Sequence, residues 1–319
     1  MRPSLVCLLA LFLLDCQTGS PLQLQLQLNQ ATSAPFEYYN RHIFVTLTVN
    51  GHPGMVFLFD TGTSANILNL RTSQELGLKA ESVQKEKDLG LGRGKVTVAA
   101  AKNVDVEMGG VRVANVLALV DLHGLEQLNQ HRIDGILGFP LLRHYVVELN
   151  FQKQLLVFHP LKGYRCRCDG DVLFLSRRKY SAAVPVVLGT DNHKQHDANL
   201  EIDTGSDTTL LLYSKFVKQK HLVGDAVQPQ DLQAYGLGGF FPVTLATFRF
   251  MSMGHTELTP LTVFFMQTTP MVSTRRKIGG VVGTAILERY EKIIFDVPRG
   301  RIILVLGPEA RETTASLAQ

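Results

Sequence analysis

Cysteine is scarce in this chain, with four in 319 residues. Cys7 and Cys16 lie at the extreme N-terminus, which leaves Cys166 and Cys168 in "YRCRCDG". Thiols at i and i+2 bridge only with strain, so no disulfide framework is expected. Two are also too few for a metal cage. The ten histidines are scattered, with no i, i+4 pair in a convincing helix, so neither a metal site nor a cofactor is expected. Charged residues are 19% and the net charge is only +4. Lys and Arg form no stripe with interleaved aromatics, so nucleic acid is not indicated. No apolar run reaches the ~20 residues that cross a bilayer. There is no G-x-S-x-G and no H-E-x-x-H. Helical periodicity is sparse.

What is present is a β-rich pattern with 45% hydrophobic residues, ample for a sizeable core. "HIFVTLTVNGHPGMVFLFD" contains two β-rich runs split by Asn50-Gly51, a strong hairpin signal. A second turn is predicted at Gly109-Gly110. Only "LRTSQELGL" and "HGLEQLNQH" read as short helices.

The N-terminus reads as an export leader. Arg2 is followed by an eleven-residue apolar core, Ser4 to Leu14, and then by polar "DCQTGS". Cys16 raises a lipid anchor as a second reading, which Asp15 before it disfavours. The expected organisation is a leader over 1–20, a spacer or strand over 21–35 and a first lobe over 36–160. A charged join over 161–180, a second lobe over 181–308 and a tail over 309–319 follow. Arg177, Arg178 and Lys179 in the join read as a solvated loop, with proteolytic processing as the alternative.

The informative feature is a phrase written twice. "FLFDTGTSANIL" begins at Phe57 and "EIDTGSDTTLLL" at Glu201. Each is followed by a matched segment, "IDGILGFPLLRHY" from Ile133 and "IGGVVGTAILERY" from Ile278. Asp60 to Gly138 is 138 − 60 = 78 positions, and Asp203 to Gly283 is 283 − 203 = 80. This is an internal repeat. In each copy a carboxylate closes an apolar strand and is held by a tight turn. Thr61 and Thr204 tie into local hydrogen bonds. Gly62 and Gly205 allow close approach, and Thr63 and Ser206 offer hydroxyls to the carboxylates. Two such loops related by a pseudo-twofold axis place Asp60 beside Asp203. Like charges at ~3 Å share one proton, which suits general acid–base hydrolysis without a covalent intermediate. Hydroxyls on both acids are expected to lower their pKa values and favour acidic activity. Asp207 is a third carboxylate that would either act in the opposite sense or simply point to solvent.

With Asp-Thr-Gly-Thr/Ser and the downstream "ILG" and "VVG" in place, the chain resembles the aspartic proteases, with halves closest to the retropepsin-like type. The resemblance covers roughly residues 36–308. It implies an all-β bilobal fold with pseudo-twofold symmetry, fused as in pepsin-like enzymes. Asp60 and Asp203 would be the catalytic dyad of a monomer acting on peptide or protein substrates. It also implies hairpins that close over substrate. The candidates are "LGLGRGK", with Gly92 and Gly94, and "YGLGGFF", with Tyr235, Gly236 and Gly238. Neither ends in Gly-Lys-Ser/Thr, so no nucleotide is expected. Pepsin-like enzymes carry a tyrosine in the first lobe's hairpin. Here Tyr235 stands by the second, and a catalytic role for it is a further expectation. The second lobe also has Gly279 where the first has Asp134.

Two other readings compete. One is a protein of the same fold that binds peptides or a partner without turnover. The other is an aspartyl phosphatase, which would need alternating strands and helices and leaves the repeat unexplained.

Overall fold

The computed structural model describes residues 6–8, 30–80, 82–87, 96–166, 168–176, 181–190, 194–222, 230–267 and 278–307. Gly92 and Gly94, the basic cluster at 177–179, the tail at 309–319 and most of the expected leader lie outside them.

The chain is all-β apart from short helices. Among the described residues the strands form two sheets. The larger runs Asp171–Phe174, Arg301–Leu306, Tyr290–Asp296, Val146–Asn150, Leu155–His159, Thr32–Tyr39, His42–Val49, His52–Asp60, Gly135–Gly138, Ile67–Asn69, Val111–Val120, Val96–Met108 and Ser82–Lys87. The smaller runs Val6–Leu8, Gln230–Gly236, Gly239–Phe248, Leu261–Met266, Leu210–Leu212, Gly280–Val282, Gln195–Ile202, Ala183–Gly189, Phe250–Met253 and Thr256–Leu258. Val6–Leu8, from the apolar N-terminal run, pairs in parallel with Ala234–Gly236.

Local chemistry explains the turns. Asn50 and Gly51 both adopt positive φ, +48° and +79°, the geometry of a tight two-residue hairpin between His42–Val49 and His52–Asp60. Both predicted short helices form, at Leu70–Glu75 and His123–Asn129. Asn69 caps the first, its side chain accepting from the Arg71 amide.

The strands leading to the repeated loops are unusual in being buried on both faces. Phe57, Leu58 and Phe59 are all at most 1% exposed, as are Leu200 and Ile202. Each such side chain contributes roughly 1.5–3 kcal/mol of hydrophobic stabilisation. The first ends in a continuous apolar run, residues 55–59, whereas the second sets Glu201 between Leu200 and Ile202, and each lies against a parallel neighbour inside its sheet. His52–Asp60 pairs in parallel with Gly135–Gly138, setting Asp60 opposite Gly138. Gln195–Ile202 pairs in parallel with Gly280–Val282, setting Ile202 opposite Val282. Antiparallel strands then flank the glycine segments, Ile67–Asn69 in the first half and Leu210–Leu212 in the second.

Two features depart from the sequence reading. The join contains Asp171–Phe174, a strand that extends the larger sheet alongside Arg301–Leu306. Cys166 and Cys168, whose spacing is expected to allow a bridge only with strain, are bonded to each other, with Cα atoms 5.4 Å apart and inside the range a disulfide spans. The bridge closes only its own small loop and staples no distant segments.

Candidate active site

Asp60 ends its strand, and Asp203 directly follows Gln195–Ile202. Both are fully buried. The two loops meet at their Asp-Thr-Gly turns and are cross-tied by their threonines. The Thr61 amide donates to Thr204 Oγ1 at 3.0 Å, and the Thr204 amide donates to Thr61 Oγ1 at 3.1 Å. Each hydroxyl then donates onward across the junction, Thr61 Oγ1 to the Ile202 carbonyl at 2.6 Å and Thr204 Oγ1 to the Phe59 carbonyl at 2.8 Å. Four bonds therefore fix one loop against the other at zero exposure.

The glycines make room for the acids. A Cβ on Gly62 would collide with the Asp203 carboxyl, and one on Gly205 would collide with the Asp60 carboxyl. Each acid thus lies against the opposite loop's glycine, close enough for the charge of Asp60 to act on Asp203. Behind them, Gly138 lies too close to the Thr63 and Ala65 carbonyls to carry a side chain, and Gly283 likewise to those of Ser206 and Thr208. The Phe139 amide donates to the Thr63 carbonyl and the Thr284 amide to that of Ser206, each at 2.7 Å.

The two acids are not equivalent. Asp60 Oδ1 accepts from the amides of Gly62 at 2.8 Å and Thr63 at 3.0 Å, and Oδ2 from the Thr63 hydroxyl at 2.5 Å. Asp203 Oδ1 accepts from the Gly205 amide at 2.9 Å. The expected hydroxyl from Ser206 is engaged elsewhere. Ser206 Oγ bonds Thr208 Oγ1 at 2.7 Å, and the first half has Ala65 at the place of Thr208. Burial pushes Asp60 up to about 6, against the pull of the Thr63 hydroxyl, Asp203 and the two amides. Asp203 is raised well above the usual carboxylate range, first by burial and then by the charges of Asp60 and Glu201. The expected lowering of both acids is therefore reversed, because desolvation outweighs the hydroxyl that is present.

The carboxylate that acts on Asp203 from outside the pair is Glu201, 2% exposed, two residues earlier on the same strand. Asp207, expected in that role, is half-buried beyond the turn. Sequence reasoning missed Glu201, although an acid inside an apolar strand at the position Leu58 holds in the first half was a readable signal. It also missed His42. This ring is buried against the backbone of Gly205, with Nδ1 2.9 Å from the Asn40 carbonyl oxygen. Burial pulls its pKa down to about 4, so it is neutral near pH 7.

Asp134, in place of Gly279, is the buried hub of an ion-pair network. It accepts from the Thr72 hydroxyl at 2.8 Å and from Arg132 Nε at 2.9 Å, and Arg71 lies 3.3 Å away. These partners hold its carboxyl below the usual range despite burial.

Of the candidate closing hairpins, the second is described. Gln230–Gly236 and Gly239–Phe248 pair with Gly236 opposite Gly239, so Leu237-Gly238 is a two-residue tip. The tip crosses to the first half. Tyr235 and Leu237 pack on an apolar cluster that includes Phe44, Leu58, Val120 and Ile136. The Tyr235 hydroxyl sits where a Cβ on Gly124 would be, and its ring meets Phe240 edge-on at 5.0 Å.

Residues 45–141 match a family model described as aspartyl protease. The match spans Asp60 and Gly138 and lies wholly in the first half. It supports an aspartic protease family, and the all-β architecture is of that type. None of the curated proteins searched matches the chain.

Proposed function

We propose that this chain is an aspartic endopeptidase whose catalytic pair is Asp60 and Asp203. The observation that carries the reading is the close opposition of two fully buried carboxyls, each against the other loop's glycine and unequally supplied with donors. Three donors favour the charged form at Asp60, against one at Asp203. The pair's shared proton therefore resides on Asp203, and Asp60 is the ionised partner. Asp60 takes a proton from a water held between the acids. Asp203 donates its own to the substrate carbonyl oxygen as the water oxygen adds to the carbon. The tetrahedral intermediate collapses when Asp60 returns its proton to the leaving nitrogen, the carbon–nitrogen bond breaks, and Asp203 takes back a hydroxyl proton, which restores the pair.

The substrate is a peptide or protein strand in extended conformation, held by main-chain bonds between the pair and the hairpin at Gln230–Phe248. Both catalytic acids lie in one chain, so the unit is a monomer. The apolar run at residues 4–14 supports export of the protein.

The test is digestion of an unfolded protein across pH 3 to 8 by the wild type and by Asp60→Asn and Asp203→Asn. Cleavage should be lost in both variants, by at least ~10³-fold. Undiminished cleavage in either would reject the assignment. Tight peptide binding with no turnover by the wild type would instead favour a binding protein of the same fold.

A further inference from the structure

The strand faces next to the two acids differ between the halves in a way that bears on substrate choice. Side chains alternate along a strand, so residue i−2 shares a face with residue i, about 7 Å away. Leu58 therefore shares the Asp60 face, and Glu201 the Asp203 face. Register identifies the neighbours on each. Leu58 lies opposite Phe44 and Ile136, forming a wholly apolar trio. Glu201 lies opposite Ala183 and Val281. The second half thus replaces Phe with Ala and Leu with Glu at matched positions.

The location of the first trio shows what this face looks onto. Phe44, Leu58 and Ile136 belong to the cluster capped by Tyr235 and Leu237 from the other half's hairpin tip. That face lies beneath a closing hairpin and beside a reacting acid. By the matched register, Ala183, Glu201 and Val281 occupy the equivalent floor in the second half. Ala183 and Val281 belong to an apolar cluster with Ala234 and Phe241, which come from the arms of the hairpin. All three floor residues are at most 2% exposed, so the site is shut with the hairpin down. Substrate enters when the hairpin lifts.

We infer that Glu201 is a specificity-determining residue and selects a lysine or arginine next to the scissile bond. Ala183 in place of Phe44 leaves room for a long side chain. The apolar wall packs the methylene stem, and the carboxylate meets the cationic head. The first half's Phe44–Leu58–Ile136 floor takes an apolar side chain on the other side of the bond. The inference rests on the peptidase reading for the identity of the cleft, but its test does not depend on turnover.

A randomised octapeptide library is passed over immobilised full-chain Asp60→Asn protein, and the retained peptides are sequenced. Lysine and arginine should be enriched at one position, roughly tenfold over input. The enrichment should vanish with Asp60→Asn/Glu201→Leu, which installs the first half's residue. It should also fall in Asp60→Asn/Glu201→Gln, which keeps the size and shape and guards against a misfolded leucine variant. Retention without basic enrichment, equal enrichment by all three proteins, or no retained peptide would overturn the inference. A wild type that cleaves without basic preference would sink this inference alone. Basic-peptide retention by a wild type that cleaves nothing would sink the peptidase reading alone.

Discussion

Thr61 and Thr204 each accept the other's backbone amide on the side-chain oxygen and pass the hydroxyl hydrogen to a carbonyl across the junction. Removing either hydroxyl leaves a buried amide and a buried carbonyl without partners at zero exposure. Thr204→Val keeps the shape and should cost ~2–6 kcal/mol, at ~1–3 kcal/mol per orphaned group. Thr204→Ser should recover most of this. The check is the midpoint of urea unfolding, and a valine variant as stable as the wild type would contradict the account.

Gly62 and Gly205 test whether the opposed carboxyls must approach this closely. A methyl on either would strike the other loop's acid. Gly62→Ala and Gly205→Ala should each lower kcat/KM by ~10²-fold or more, the cost of displacing reacting groups by about an ångström. Peptidase rates measured at matched folded fractions decide it. An alanine variant of normal rate would mean the loops sit further apart.

The buried ionisable groups give stability two opposed slopes with pH. Asp60 titrates near 6 when folded against an ordinary 3.8, and Asp203 is also raised. The folded state binds more protons there, so the stability Asp60 lends is full below pH 3.8 and is lost as pH rises through 6, with Asp203 acting in the same sense. His42 titrates near 4 when folded against an ordinary 6.5. The unfolded state binds more protons in that window, so stability falls as pH drops from 6.5 to 4. Asp60→Asn/Asp203→Asn should therefore expose the His42 slope, with Tm rising by several degrees between pH 4 and 6.5. A double variant whose Tm falls over that interval would refute the signs.

Gly124 is the seat of the second hairpin. Its missing side chain makes the space that the Tyr235 hydroxyl fills. Gly124→Ala should prop the hairpin away from the first half and lower kcat/KM by about tenfold, with kcat and KM both affected. Tyr235→Phe removes the colliding oxygen and should recover part of the loss in the double variant. Additive losses would argue against a shared contact.

The residues that carry local chemistry were readable from the sequence. The Asp-Thr-Gly turns, the glycines behind them and the Asn50-Gly51 hairpin each need a residue type that few others replace. Features set by distant partners were less visible. Ser206 has a hydroxyl like Thr63, but Thr208 captures it, and only coordinates show which neighbour wins. Asp207 adjoins the turn in sequence, whereas Glu201 precedes Asp203 by two on the incoming strand, where alternation puts it on the same face, and Asp207 lies beyond the turn that ends that strand. The raised acids were missed for a related reason. Hydrogen-bond donors can be read locally, whereas desolvation depends on how completely the two halves close around the pair.

The larger sheet also determines what happens when the chain is cut. Tyr290–Asp296 and Arg301–Leu306, from the far end of the sequence, are laced between Val146–Asn150 and Asp171–Phe174. Scission anywhere between residues 176 and 181 would therefore yield two polypeptides on a denaturing gel but a single particle in solution. Neither fragment expressed alone would inherit a finished sheet, since each would display the raw flank that its absent counterpart normally covers.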